Sequence, residues 1–377
     1  MLYHLFRYLD QANVMGAGVF NYISFRAALA GIMSLLIALW AGKGIIRWLQ
    51  KQQIGETIRE LGLEGQMQKK GTPTMGGIII IISIIIPTLL FAKLDNIYVI
   101  IMIISTIWMG VIGAIDDYIK VFKKDKEGMK AKTKLIGQLM LGVIIAIAVD
   151  YTHKINNLPL ETNLPISKHH LSYTDILPGD GNAWLIFIPV IIFISMAVTN
   201  AVNLTDGIDG LAAGTTAIVG VGLGILAYAS GNIKVAQYLN VIYVPQSGEV
   251  VIFLSCVIGA CLGFLWYNGY PAQVFMGDTG SMALGGAIAA VAIIIKIELM
   301  LPILCGIFFA ESFSVILQVS YFKYTKKRFG EGRRIFLMSP LHHHFQKKLI
   351  PESKITLRFW LVTVLLVLAT IALIKLR

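Results

Sequence analysis

Residues 113–120 read GAIDDYIK. Two adjacent carboxylates, Asp116 and Asp117, end a long apolar run, and Lys120 follows one turn later. Further acids recur in Asn203-Leu-Thr-Asp206-Gly-Ile-Asp209-Gly and in Phe275-Met-Gly-Asp278-Thr-Gly-Ser, with Asn268 just ahead of the latter. Carboxylates are hard oxygen ligands, and a small set of them suits Mg²⁺, which keeps several waters and binds substrate phosphates. Lys69, Lys120, Lys124 and Lys132 offer point charges to a diphosphate. Gly71, Gly76, Gly77, Gly207, Gly210, Gly277 and Gly280 lie among these motifs. Glycine lets backbone N–H groups come close to a phosphate. Together these residue types suggest phosphate chemistry assisted by a divalent cation.

Other readings compete. Asp206 and Asp209 precede an apolar segment and could cap its N-terminus, where the helix dipole favours anions. That account fails for Asp116 and Asp117, which stand at the C-terminal end of theirs. Their bland alternative is pairing with Lys120, which is i,i+4 from Asp116 and i,i+3 from Asp117. One lysine does not neutralise two carboxylates, however. Adjacent residues on a helix also point about 100° apart, so one aspartate can be held by lysine while the other faces a metal or an acidic proton. A transporter's ion relay is a third possibility, but it expects charges near the bilayer midplane and repeat symmetry, and neither is evident.

The elements that must position these groups are membrane helices. Of 377 residues, 56% are hydrophobic and only 14% are charged, against about 25% charged in soluble proteins. Apolar runs long enough to span occur at roughly 24–49, 75–92, 97–119, 133–150, 184–202, 209–229, 249–267, 280–296, 299–322 and 355–376. The runs are continuous and lack a period of two, which indicates helices rather than barrel strands. With ten spans, twenty Lys and Arg fall in connections on one face, and eight fall in the opposite connections and the two tails. The positive-inside rule makes the basic face cytoplasmic. The net charge of +11 is therefore mostly an orientation signal. All five aspartates fall on that same face, in or beside short connections at headgroup level. An ionised side chain at membrane depth costs about 2.5–3.5 kcal/mol, so this many acids on one face require compensation. The chain is expected to be an all-α polytopic membrane protein: one transmembrane domain over 1–377, about ten helices, both termini outward, and an active-site cleft at the cytoplasmic face.

Residues 1–20 lack the layout of a cleaved signal peptide and could form an interfacial helix. The outward connection 151–183 contains Pro159, Pro165, Pro178 and Gly179 and is expected to be an irregular cap with a short strand pair or helix. Cys256, Cys261 and Cys305 fall inside apolar spans and read as small buried residues rather than a disulfide framework. The connection 323–354 contains Ser339-Pro-Leu-His342-His343-His344-Phe345. Successive side chains diverge, so one zinc ion cannot easily take all three histidines. Contact with phosphate, or proton movement near neutral pH, fits them better. Pro302, or the glycines of 280–290, could kink a helix and open a groove for a lipid tail.

The six segments KKGTPTMGG (69–77), GAIDDYIK (113–120), NLTDGIDGLAAG (203–214), FMGDTGSMALGG (275–286), ESFSVILQV (311–319) and SPLHHHF (339–345) occur in this order. In this the chain resembles the phospho-N-acetylmuramoyl-pentapeptide transferases, part of the superfamily of polyprenyl-phosphate N-acetylhexosamine-1-phosphate transferases. The resemblance covers nearly the whole chain. It implies transfer of phospho-MurNAc-pentapeptide from UDP-MurNAc-pentapeptide to undecaprenyl phosphate, giving lipid I and UMP, with Mg²⁺, by a homodimer in the bacterial inner membrane. By motif, Asp116 and Asp117 match the family's paired catalytic aspartates, and Asp278 its magnesium ligand. Lys69, Asn203, Asp206, Asp209, Asn268, Phe275, Gln318 and His343 match positions lining the nucleoside and diphosphate site, with Phe275 placed to stack on uracil. Lys120, Lys124, Lys132 and His342 would line the same cleft. A sister enzyme moving GlcNAc-1-phosphate onto the same lipid is the nearest alternative, and the SPLHHHF stretch disfavours it. Two departures stand out: Gln346 follows the histidines where many members have glutamate, and the 151–183 connection is long for the family. The termini at the outward face would be periplasmic.

Overall fold

The computed structural model describes residues 1–52, 69, 71–125, 127–155, 158–176 and 182–375. Arg59, Lys70, Lys126, Pro178, Gly179 and Arg377, which enter the charge count or the outward connection, lie outside these residues. The chain opens with an amphipathic helix α1 (Leu2–Gln11) and a 3-10 turn, Ala17–Asn21. Then follow α2 (Ile23–Lys51), α3 (Gly77–Phe91), α4 (Ile97–Phe122) and α5 (Ala131–Ile155). The connection after α5 holds β1 (Glu161–Asn163), β2 (His170–Ser172) and α6 (Tyr173–Ile176). The remaining helices are α7 (Trp184–Thr205), α8 (Leu211–Ser230), α9 (Ile233–Leu239), α10 (Gly248–Asn268), α11 (Gly277–Ile294), α12 (Leu301–Leu304), α13 (Gly306–Phe329), α14 (Leu341–Lys347) and α15 (Glu352–Lys375).

Every apolar segment seen in the sequence is helical. Among the described residues, eight helices are long and apolar enough to cross a membrane: α2, α4, α5, α7, α8, α10, α11 and α15. The 298–304 and 306–329 segments make a ninth if taken together, although they meet at 83°. The bend comes three residues after Pro302, which stands in the first turn of α12 and cannot donate to a preceding carbonyl. The tenth segment, α3, has only 15 residues, about 22 Å of helix. Its N-terminal end gives way to extended pairing. Phe275 N–H donates to Pro73 (2.8 Å), Gly76 N–H to Phe275 (2.8 Å) and Gly77 N–H to Met276 (2.8 Å). This pairing ties the segment after Lys69 to the segment ahead of Asp278.

Helix α11 is the centre of the bundle. Every residue from Thr279 to Ile294 is buried, as expected of a helix that is apolar all round. It packs against α4, α7 and α3, while α10 packs on α2 and α8. Small residues permit this closeness: a Cβ on Gly77 would lie 2.1 Å from the Gly280 nitrogen. The 151–183 connection forms the expected strand pair, with Thr162 opposite Leu171, and a short helix. It is fastened to the C-terminal end of α11. Asn163 N–H and Nδ2 both donate to the Lys296 carbonyl (3.0 and 2.8 Å), and buried Lys296 Nζ donates to the Pro159 carbonyl (2.7 Å). The three cysteines are free and buried.

A buried ion pair locks α2 to α10. Arg26 Nη1 and Nη2 donate to the two oxygens of Glu249 at 2.8 and 2.7 Å, both side chains being almost fully enclosed. Arg26 also donates to the Phe91 carbonyl (3.0 Å), and Lys93 N–H to Glu249 (2.9 Å). Removing one partner strands the other charge, at about 3–5 kcal/mol. We predict that Glu249→Ala lowers the thermal unfolding temperature in detergent far more than Arg26→Met/Glu249→Met together does. Equal losses would show that the pair is not coupled.

Candidate active site

Asp116 and Asp117 emerge from the last turns of α4, where that helix crosses the N-terminus of α11. The crossing is close because position 113 is glycine: a Cβ there would lie 2.1 Å from the Asp278 carbonyl oxygen. One turn later the two carboxylates point to different partners. Asp117 Oδ1 accepts the Asp278 N–H (3.1 Å), and its Oδ2 accepts both the N–H (2.9 Å) and the hydroxyl (2.6 Å) of Thr279. Asp117 therefore caps α11 from a neighbouring helix, satisfying amides that a helix start leaves unpaired. The Gly277 conformation, φ +72°, makes room: a Cβ there would lie 2.6 Å from Asp117 Oδ2.

Asp116 Oδ1 accepts the Met129 N–H (2.6 Å). Its Oδ2 faces Lys120 Nζ (2.6 Å) and Lys134 Nζ (2.9 Å). Both ammonium groups also reach Asp278 Oδ2, at 3.0 and 2.6 Å. Asn203 Nδ2 completes Asp278 by donating to Oδ1 (2.9 Å) while contacting Ser281 Oγ (2.9 Å). Ligand atoms of Asp116, Asp117 and Asp278 lie within 4.8 Å of one another. The donor set fits a hard divalent cation: three carboxylates gathered at one point, with two ammonium groups bridging Asp116 and Asp278 where positive charge is required.

A second group lies six residues along the chain from Asn203 and three from Asp278, so within about 20 Å of the first. Lys69 Nζ contacts Asp209 Oδ1 (2.7 Å) and Glu352 Oε1 (2.5 Å), and lies 5.8 Å from the Phe275 ring centroid. Burial lowers the pKa of Lys69, but Glu352 and Asp209 more than offset it, so the ammonium stands above the ordinary lysine value. Asp209 Oδ2 accepts the Ala272 N–H (3.0 Å). The competing cap reading for Asp209 on α8 is thus not met; its oxygens go to Lys69 and Ala272 instead. The amide of Asn268 braces the same loops, accepting from Gly210 N–H (3.0 Å) and donating to the Val274 carbonyl (2.9 Å). Asp206 is the half-buried residue that ends α7.

The histidine segment folds over this group as α14. His342 is fully buried, with Nδ1 3.2 Å from Glu311 Oε2. It packs so tightly on the 206–210 loop that a Cβ on Gly207 would lie 2.1 Å from its Nε2. His343 Nδ1 meets Gln346 Oε1 at 2.7 Å. Burial, with His342 and Lys69 nearby, pushes the His343 pKa down to about 4, against the raising effect of Gln346. Gln318 holds the approach to the segment, its Oε1 accepting from Ile335 (3.1 Å) and Phe336 (2.9 Å). Lys124 and Lys132 are exposed, and neither reaches the carboxylate cluster; Lys134 does so instead.

Four participants were not singled out from the sequence. Lys134 is one of seven lysines between 120 and 134, and nothing in its type distinguishes it. Thr279 and Glu311 lie in quoted motifs, and a carboxylate inside an apolar run was itself a usable signal for Glu311. Glu352 reads as an ordinary acid at a helix start.

Comparison with known proteins agrees with this geometry. The family model described as glycosyl transferase family 4 matches residues 99–296. A phospho-N-acetylmuramoyl-pentapeptide-transferase signature matches residues 69–81. The chain is 54% identical to a Flavobacterium psychrophilum protein, 53% to one from Flavobacterium johnsoniae and 52% to one from Parabacteroides distasonis, each over 100% of both chains. All three are named phospho-N-acetylmuramoyl-pentapeptide-transferase. With its motifs in order, its acids gathered at the ends of apolar helices and its full length shared with these relatives, the chain belongs to the phospho-N-acetylmuramoyl-pentapeptide transferases of glycosyl transferase family 4.

Proposed function

We propose that the chain transfers phospho-MurNAc-pentapeptide from UDP-MurNAc-pentapeptide to undecaprenyl phosphate, yielding lipid I and UMP, at the inner face of the bacterial cytoplasmic membrane. The observation that carries this is the meeting of Asp116, Asp117 and Asp278 within 4.8 Å, at the ends of apolar helices. The full-length relatives bear the muramoyl-pentapeptide name, which favours this donor over a GlcNAc carrier and favours an enzyme over a transporter. We read the ten apolar segments as ten crossings with both termini outward, which puts the cluster on the cytoplasmic side, where a soluble nucleotide donor is found. The resemblance also supports a homodimer.

Mg²⁺ held by Asp278, with Asp116 close by, would offset the charge that develops on the departing UMP. The chain's own groups do the rest. Lys120 and Lys134 sit over both carboxylates and can follow a diphosphate placed there, acting through position and charge. Lys69, Asp209 and Phe275 line the nucleotide side. An oxygen of the lipid phosphate bonds to the β-phosphorus of the donor while the bond to the UMP oxygen breaks. The Asp117 oxygens are held by fixed donors at the α11 terminus, whereas the lysines on Asp116 Oδ2 can turn to a bound diphosphate, so Asp116 is the acid freed to accept a proton from the lipid phosphate. His343, with its lowered pKa, is neutral at working pH. Direct attack needs no covalent adduct. A two-step route through a phosphorylated aspartate would give UMP exchange into the donor without lipid.

UMP release from the purified protein tests the assignment. Asp278→Asn should abolish turnover in a chain that still melts cooperatively, and chelation of divalent cations should silence the wild type until Mg²⁺ is restored. Wild-type activity in either case would overturn the metal reading. The paired aspartates should separate. Asp116→Asn should lower kcat about 10²–10⁴-fold and lose less stability than Asp117→Asn, because Lys120 and Lys134 keep Asp278 as a partner. Asp117→Asn should lose activity and also about 1.5–3 kcal/mol of stability, because it weakens charged hydrogen bonds to the α11 terminus. The reverse pattern would exchange their roles.

A further inference from the structure

Glu352 has no assigned role, yet its carboxylate meets Lys69, the Asp209 backbone and Gln346 on the nucleotide side of the cleft. Its Oε1 meets Lys69 Nζ at 2.5 Å and also accepts the Asp209 N–H at 2.7 Å. Its Oε2 lies 3.5 Å from Gln346 Nε2. A carboxylate only accepts, so it draws the NH₂ of Gln346 toward itself and leaves the Gln346 oxygen to face His343 Nδ1, at 2.7 Å. Nδ1 must then carry the proton, which leaves Nε2 as an acceptor. Glu352 is also the first residue of α15, anchored where Thr356 Oγ1 donates to the Asp209 carbonyl (3.1 Å). Three other chain segments, at Lys69, Asp209 and Gln346, therefore converge on one side chain.

Resting on the transferase reading above, we propose that Glu352 is a positioning residue for the nucleotide donor. It fixes the Lys69 ammonium, the backbone of the Asp209 loop and, through Gln346, the tautomer of His343 before substrate arrives. A purely structural tether between α15 and the loop would affect both substrates alike. A positioning role affects the donor alone and acts through Lys69.

The test is UMP release by the full-length protein in detergent, with KM measured separately for UDP-MurNAc-pentapeptide and for undecaprenyl phosphate, together with thermal unfolding. Glu352→Gln keeps the shape and removes the charge. It should raise the donor KM about tenfold, the scale of one charged hydrogen bond, and leave the lipid KM within about twofold. Glu352→Asp, which keeps the charge, should recover part of the donor KM. Added to Lys69→Met, E352Q should cost little more than Lys69→Met alone, since coupled residues are not additive. The proposal is overturned if the E352Q donor KM matches wild type, if both KM values move together, if the two losses multiply, or if E352Q no longer folds. A wild-type protein that releases no UMP would instead sink the transferase reading. Titration of wild type and E352Q with UDP by calorimetry would then decide the positioning role, with about tenfold weaker binding expected of the variant and equal binding refuting it.

Discussion

The carboxylate of Asp117 accepts three hydrogen bonds from the first turn of α11, and the rest of the site depends on that contact. Asp278 lies in the turn so held. If α11 started elsewhere, Asp278 would not meet Asp116, and neither lysine would have two carboxylates to bridge. The contact also accounts for glycine at both 113 and 277: each removes a Cβ that would push α4 and the α11 terminus apart. The paired acids that end α4 thus divide their work. One fixes the architecture through amide dipoles, and the other stays near the mobile ammonium groups.

This division resolves the cost of placing acids beside a membrane. A buried carboxylate with no partner would carry a penalty of several kcal/mol. Here each has donors of its own: backbone amides for Asp117, lysines and the Met129 amide for Asp116, and lysines with Asn203 for Asp278. The ammonium groups rather than the amides are the exchangeable members. Lysine side chains are long and flexible, so they can turn from carboxylate to phosphate without disturbing the backbone. The second cluster follows the same logic, with Lys69 held between Asp209 and Glu352.

Much of this was legible in the residues themselves. Each apolar run became a helix because nothing but intrachain hydrogen bonding satisfies a backbone in lipid. Clustering of the acids on one face followed from topology, since short connections keep their side chains near the helix ends. Less could be read where the partner is distant in sequence. The amides that Asp117 caps lie about 160 positions away, and dipole reasoning on its own helix says nothing of a neighbour's. Asp209 invites the cap reading for the opposite reason: it precedes a helix, but Lys69 outbids the local amides. The choice of Lys134 over Lys124 and Lys132 depends on how α5 faces the cluster, and lysines that also serve orientation hide such a choice. The shortness of α3 could not be read from its composition, because hydropathy does not reveal that residues 73–77 pair with 275–276.

Helix α11 is gripped at both ends, by Asp117 at its N-terminus and by the Lys296–Asn163–Pro159 contacts at its C-terminal end. It is a rod about 27 Å long, enclosed along its entire length. Sliding it along its axis by even one turn, about 5.4 Å, would tear both grips at once. The bundle therefore cannot work by a piston stroke of its central helix. Such motion as catalysis requires falls to side chains and to the peripheral helices, and a load on the β1–β2 hairpin would be transmitted as tension along α11 to the acid cluster at its other end.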